Sequence, residues 1–186
     1  MDITHCKKKH EIKEAFTLVE VLVYTAVFVI IMVAVSSFLL WAIQLQARSN
    51  AMREVLENTE RVMNRMVFEI RGAMGIYWPT TTSTQLSLQT PRYLPPDETF
   101  SYIDFFICEN RLCLKKEPQN PPTLTPPVAL TSDNVEITNI NFLEVATASS
   151  TPSMQITLTA KYKNPNNRPE LDATVTLTSA ASLRAY

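Results

Sequence analysis

The sequence predicts an α+β fold, a long N-terminal helix packed on an antiparallel β-sheet head. Three observations predict it. Residues 16–43 form an apolar run that carries one charge, Glu20. From 16 to 71 there is neither Pro nor Gly, and past residue 44 apolar residues recur every three to four positions. After Trp78–Pro79 the composition turns to Thr, Ser, Asn and Pro, and the periodicity shifts towards two. The whole-chain mean hydropathy of −0.02 averages these regions and hides both.

The first fifteen residues, MDITHCKKKHEIKEA, are a basic leader with Lys7, Lys8, Lys9 and Lys13. The apolar run follows. About 20 apolar residues span a bilayer, and 21–43 alone makes roughly 35 Å of helix, so this is a membrane segment. A buried soluble helix of this length has a polar face, and this run has none. A secretory signal has an apolar stretch of about 7–15 residues followed by a small-x-small site. Here the run ends in Leu40, Trp41, Ala42, Ile43 and Gln44, with no such site. By the positive-inside rule the four leader lysines keep the N-terminus in the cytoplasm, by a narrow margin over Arg48, Arg53 and Arg61. The expected location is the cytoplasmic membrane, crossed once, with the head extracytoplasmic.

Residues 44–75 continue the helix in amphipathic form. Met52, Val55/Leu56, Val62/Met63, Met66/Val67, Ile70 and Ala73/Met74 make the apolar stripe, with Arg and Glu, including Arg65 and Glu69, mostly between them. Gly72 and Gly75 supply the stop. The helix is expected over 16–72, about 57 residues and roughly 85 Å. The stripe requires a cover, and the remaining chain is the candidate. The heptad is not sustained, which argues against a coiled coil.

Residues 76–186 read as the β-rich head. Candidate strands are 85–90, 99–108, 111–116, 135–145, 154–162 and 173–178, in one sheet of four to six strands laid on the stripe. The clearest alternation is Met154, Ile156, Leu158, Ala160 and Tyr162. Val135/Ile137 and Ile140/Phe142 alternate in opposite phase, which predicts a bulge near Thr138–Asn139. Turns are marked by Glu109–Asn110, by the Pro-rich stretch 118–127 and by 164–169. With two glycines in 186 residues, these turns rely on Asn, Asp and Pro.

Glu20 separates a plain anchor from something more specific. A carboxylate in a membrane helix costs about 2.5–3.5 kcal/mol at the centre and less near an interface. Its setting is Lys7–Lys8–Lys9 and then Ala15, Phe16, Thr17, Leu18, Val19, Glu20, Val21, Leu22, Val23. This resembles the type IV prepilin signal: a basic leader ending in a small residue, then Phe, then T-L-[IV]-E. Ala15 stands where Gly is usual and is nearest to it in size. The resemblance implies that a prepilin peptidase cuts between Ala15 and Phe16 and methylates the new amine. It also implies that Glu20 pairs with the Phe16 amine of a neighbouring subunit and helps set axial register.

The resemblance makes the expected fold pilin-like, and the leader, residues 1–15, a cleaved segment. The helix followed by strands with Pro-rich connections resembles the minor pseudopilins of type II secretion (the J-like branch) and the PilW-like minor pilins of type IV pili. The residues that carry this are Phe68–Glu69–Ile70–Arg71, Ile103–Asp104–Phe105 with Asn110–Arg111–Leu112, Asn134–Val135 to Phe142, and Ser182–Leu183–Arg184. It implies as partners other pilins or pseudopilins, the inner-membrane assembly platform and the lipid bilayer. Nucleic acid is a partner only in a DNA-uptake pilus. From residue 16 on there are 13 Lys/Arg and 15 Asp/Glu, which gives no general attraction to DNA.

Catalysis is not expected. Both histidines, His5 and His10, lie in the leader, which removes Ser-His and Cys-His systems from the mature chain. Two glycines, Gly72 and Gly75, cannot write a phosphate-binding loop, and no calcium loop or metal-ligand spacing is present. Asp97, Glu98, Asp104 and Glu109 read as solvated surface acids. No cofactor is expected. Cys6 is in the leader. Cys108 and Cys113 flank 109–112 and face each other if these residues form a hairpin: a candidate disulfide outside the cytoplasm, otherwise two reduced apolar residues. Two functions follow, a filament subunit or a membrane-anchored extracytoplasmic β-domain that binds a ligand or substrate.

Overall fold

The structure is a computed structural model that describes residues 17–94, 97–118, 125–145 and 152–184. Ala15 and Phe16, with the rest of the leader, lie outside the described residues. The chain divides into two compact units, Met1–Ile43 and Gln44–Tyr186. One helix, α1 (Leu18–Gly72), runs from the first into the second.

In the first unit α1 is apolar on every side. Its most apolar window has a mean hydropathy of 2.7, and none of that window is buried within the protein. The segment is long and apolar enough to cross a membrane. Its few hydroxyls are satisfied within the helix. Thr25 Oγ1 donates to the Leu22 carbonyl at 2.9 Å, Ser36 Oγ to Met32 at 2.8 Å and Ser37 Oγ to Val33 at 2.9 Å. A hydroxyl that is already bonded to its own helix costs less in hydrocarbon.

The second unit is α+β. The helix there buries Ala51, Val55, Thr59, Val62, Met63, Met66 and Ile70, spaced three to four apart. These side chains share a core with two antiparallel sheets. The first sheet has the order β1 (Gly75–Ile76), β2 (Leu86–Thr90), β3 (Ser101–Cys108), β4 (Arg111–Pro118) and β5 (Val128–Ala129). The second has the order β6 (Val135–Glu144), β7 (Ser153–Tyr162) and β8 (Thr174–Ser182). The single sheet expected from the sequence is therefore two. The two meet through Ile137 N–H to the Asn110 carbonyl at 2.7 Å and Phe142 N–H to Ser83 at 2.8 Å.

Strand patterning explains the core. Leu86 lies opposite Phe105 and Leu88 opposite Ile103, and Phe105 lies opposite Leu114, so one face of the first sheet is apolar and buried. In β7, Met154, Ile156, Leu158 and Ala160 are buried, while Ser153, Gln155, Thr157 and Thr159 between and before them are half-buried and Lys161 is exposed. The outer face of that strand is a hydroxyl ladder, Thr157 to Thr178 at 3.3 Å and Thr159 to Thr176 at 3.0 Å. The phase change in β6 is a bulge: the register shifts between Ile137 and Asn139, which leaves Thr138 as the extra residue. The loop before β6 is tied to α1 by polar bonds. Ser132 N–H donates to Asn58 Oδ1 at 3.1 Å, and Asn134 Nδ2 donates to Glu54 Oε1 at 3.0 Å.

Neither glycine takes a positive φ. The left-handed positions go to Tyr93, Asp97, Glu109, Asn110 and Asn167. Consecutive left-handed residues at Glu109–Asn110 make the two-residue hairpin turn that matches strand twist. Asn164 closes the 164–168 loop by bonding both the N–H and the carbonyl of Arg168, at 2.9 and 2.8 Å. At Gly72 the Arg92 guanidinium occupies the space a Cβ would take, and a side chain there would displace that flexible group.

Candidate functional site

Three sets of side chains carry the chemistry: the start of α1, the β3–β4 hairpin, and an ion cluster at the end of α1.

Thr17 precedes the helix and caps it. The Glu20 N–H donates to Thr17 Oγ1 at 3.3 Å and to the Thr17 carbonyl at 3.1 Å. Glu20 therefore sits in the first turn, where the helix dipole favours a carboxylate. One turn on, the Tyr24 hydroxyl donates to Glu20 Oε1 at 3.3 Å. It is the one side-chain donor that this carboxylate meets among the described residues. The arrangement orients the acid at the helix start and leaves most of its hydrogen-bonding capacity open.

In the hairpin, Cys108 lies opposite Arg111 and Phe106 opposite Cys113. The two cysteines are therefore diagonal neighbours on one face of the hairpin rather than a directly facing pair. They are joined as a disulfide, with Cα atoms 5.8 Å apart. Cys113 is buried and Cys108 half-buried. Beyond the turn, Arg111 holds Asp133 at 2.5 Å, which fixes the loop that leads into β6.

The four candidate surface acids separate. Asp97 and Glu109 are exposed and Glu98 is half-buried. Asp104 is also half-buried, so its expected place on a solvated face does not hold. It stands opposite the fully buried Ser87 in β2 and Lys115 in β4. Burial pushes its carboxyl above the ordinary range. The Ser87 hydroxyl and Lys115 oppose that shift, and the Glu117 charge adds to it. The Ser87 hydroxyl makes no hydrogen bond of normal geometry among the described residues, so its pull on Asp104 is weak. Lys115 also pairs with Glu117, which divides its attraction.

The third set was not expected from the sequence. Glu69 lies within the buried stripe, its side chain 0% exposed. Arg65 Nη2 holds its Oε1 at 2.6 Å, and the Tyr93 hydroxyl donates to the same oxygen at 3.1 Å. Arg65 also donates to the Tyr93 hydroxyl at 2.9 Å. Arg92 Nη1 stands 3.7 Å from the other oxygen, Oε2, too far for a hydrogen bond. The Arg92 guanidinium lies 4.3 Å from the centre of the Phe68 ring. A buried carboxylate is tolerated when charges and donors converge on it. Tyr93 accepts a left-handed backbone because its side chain is fixed here and under Lys116, whose ammonium is 3.5 Å from the ring centre. The Arg65/Glu69 spacing of four residues was the visible signal.

Among the described residues no group of His, Cys, Asp and Glu is arranged to hold a metal ion. Compared with protein-family models, curated proteins and solved structures, the chain matches none.

Proposed function

We propose that this chain is a structural filament subunit, a minor pilin or pseudopilin of a type IV pilus or type II secretion pseudopilus. A prepilin peptidase removes residues 1–15, and the subunit is stored in the cytoplasmic membrane through residues 16–43. It then assembles with other pilins through that helix, driven by an inner-membrane platform. The observation that carries this reading is Glu20, the one charge in an apolar run of 28 residues and placed in the first helical turn.

A lone carboxylate in hydrocarbon is costly, and a cation that arrives from a neighbour removes much of that cost. The N-methylated amine of Phe16 on an adjacent subunit is such a cation. The pairing then fixes how far one helix slides along the next. The partly open hydrogen-bonding capacity of Glu20 supports this role. The all-round apolar first half of α1 supports bundling with other helices, because it has no counterpart within its own chain.

Mass spectrometry of the mature N-terminus tests the reading. N-methyl-Phe16 is the expected terminus. An intact leader in a host with an active prepilin peptidase sinks it and leaves a membrane-anchored β-domain.

A further inference from the structure

Beside its buried stripe, the last three turns of α1 carry a groove that filament assembly through the N-terminal helix does not use. Two adjoining cavities share Asn64 and Phe68 as walls. One, about 520 Å³, has an apolar floor of Val62 and Leu130 with Arg61 and Arg65 at its edge. The other, about 410 Å³, is bounded by Arg71, Arg92 and Arg184 beside Gly72. Phe68 stands between them, 52% exposed.

The charges in this groove are unbalanced. Arg65 and Arg92 share the buried Glu69. Among the described residues Arg61 meets the neutral Asn58 amide oxygen, at 2.6 Å, and no carboxylate. Arg71 and Arg184 have no carboxylate partner among the described residues. Both are exposed and line one cavity. Guanidinium groups held around a concave, partly apolar wall select planar oxyanions.

We propose that this groove binds an acidic segment of a partner protein, one that carries an apolar side chain between its carboxylates. The carboxylates meet Arg71 and Arg184 at one end and Arg61 at the other. The apolar side chain fills the Val62–Phe68–Leu130 cavity. From Arg61 to Arg71 is ten residues of helix, about 15 Å, the reach of roughly five extended residues. Nucleic acid fits less well. The Arg92 guanidinium already covers the Phe68 ring, which a base would need for stacking, and the chain as a whole carries a net charge of −1. The proposal holds whether or not the chain enters a filament.

The test uses the full chain in non-ionic detergent micelles. Fluorescence anisotropy is read with a labelled hexapeptide, Glu-Glu-Leu-Leu-Glu-Glu, with its all-Gln counterpart, and with a twelve-nucleotide oligothymidylate. Saturable binding of the acidic peptide is expected, about tenfold or more tighter than the Gln peptide. The double variant Arg71→Gln/Arg184→Gln is expected to lose about that factor, and Phe68→Ala to weaken binding further. These side chains are exposed, so the fold is retained, which circular dichroism verifies. The proposal is overturned by absent or equal binding of the two peptides, by unchanged affinity in the double variant, or by tighter binding of the oligonucleotide.

Discussion

Residues 18–43 and 44–72 share one helical conformation and have opposite surroundings. The first stretch buries nothing in its own chain, while the second places Val55, Met66 and Ile70 at 0% exposure. Backbone hydrogen bonding is the same in both. What differs is which solvent the side chains were selected for. The second stretch finds its apolar partner in the two sheets of its own head. The first carries more apolar surface and meets no apolar partner among the described residues, and it is long and apolar enough to cross a membrane. One helix thus joins a stretch packed within its own chain to a stretch whose apolar surface is exposed.

Core truncation should break this comparison if the two stretches were energetically one. Phe105 is fully buried among β2, β4 and α1 side chains, so Phe105→Ala should cost the head about 3–5 kcal/mol. Phe28 is 58% exposed, and Phe28→Ala should change head stability by less than about 0.5 kcal/mol. Denaturant unfolding of the full chain in micelles, followed by Trp78 fluorescence against a Trp41→Phe background, measures both. Comparable losses from the two variants would show that the stretches unfold together.

Glu69 sharpens the comparison from the polar side, since both stretches hold a carboxylate on an apolar surface. Removing Glu69 takes the hydrogen-bonded partner from Arg65 and the nearby counter-charge from Arg92. Glu69→Ala should cost about 2 kcal/mol, less than a fully buried pair because both arginines reach solvent. Glu20→Ala should not lower head stability, and under the filament reading should instead reduce incorporation into filaments. A Glu20→Ala subunit that assembles as well as wild type removes the register role.

The disulfide is a third point of contrast, a covalent tie within the head where the first stretch has none. Closing a loop this short stabilises by only about 2 kcal/mol in the chain-entropy model. Cys108→Ser/Cys113→Ser should lower the unfolding free energy by about 2 kcal/mol, and Cys108 and Cys113 of the wild-type chain should show no free thiol until reduced. Equal thiol counts with and without reductant would remove the bridge.

How far these features could be read in advance follows from their range along the chain. The helix limits of 16–72 against the observed Leu18–Gly72 were set by the lack of Gly and Pro, a local signal. The Thr138 bulge was legible because one extra residue reverses the side-chain phase on both sides of it. The two-residue strands β1 and β5 carry no periodicity and exist only because β2 and β4 offer edges. The division into two sheets depends on which strands meet, which alternation does not encode. At Glu69 the helical spacing to Arg65 was visible. Its burial also depends on Arg92 and Tyr93, more than twenty residues away, and no pattern on α1 announces them. At the start of α1 Glu20 stood out in the sequence as the one charge in an apolar run, while the bonds that Thr17 and Tyr24 make with it were not read there.

The smallest expected effect concerns Asp104, the head's counterpart to an acid placed against its environment. Its carboxyl is raised in the folded state, chiefly by burial, with the Glu117 charge adding to it and Ser87 and Lys115 opposing. The folded chain therefore holds this proton at pH values where the unfolded chain has released it. Below the ordinary carboxylate pKa both states are protonated and Asp104 costs nothing. As pH rises through the window between the unfolded and folded values, stability falls, because the folded state must ionise a partly desolvated acid. Asp104→Asn keeps the shape and removes the charge, so its melting temperature should exceed that of wild type at pH 7, and the gap should narrow as pH is lowered towards the ordinary carboxylate pKa and close below it. A gap of the same size at pH 7 and below that pKa would assign the effect to packing. A lower melting temperature at pH 7 would mean that the attraction of Lys115 outweighs the desolvation of the carboxylate.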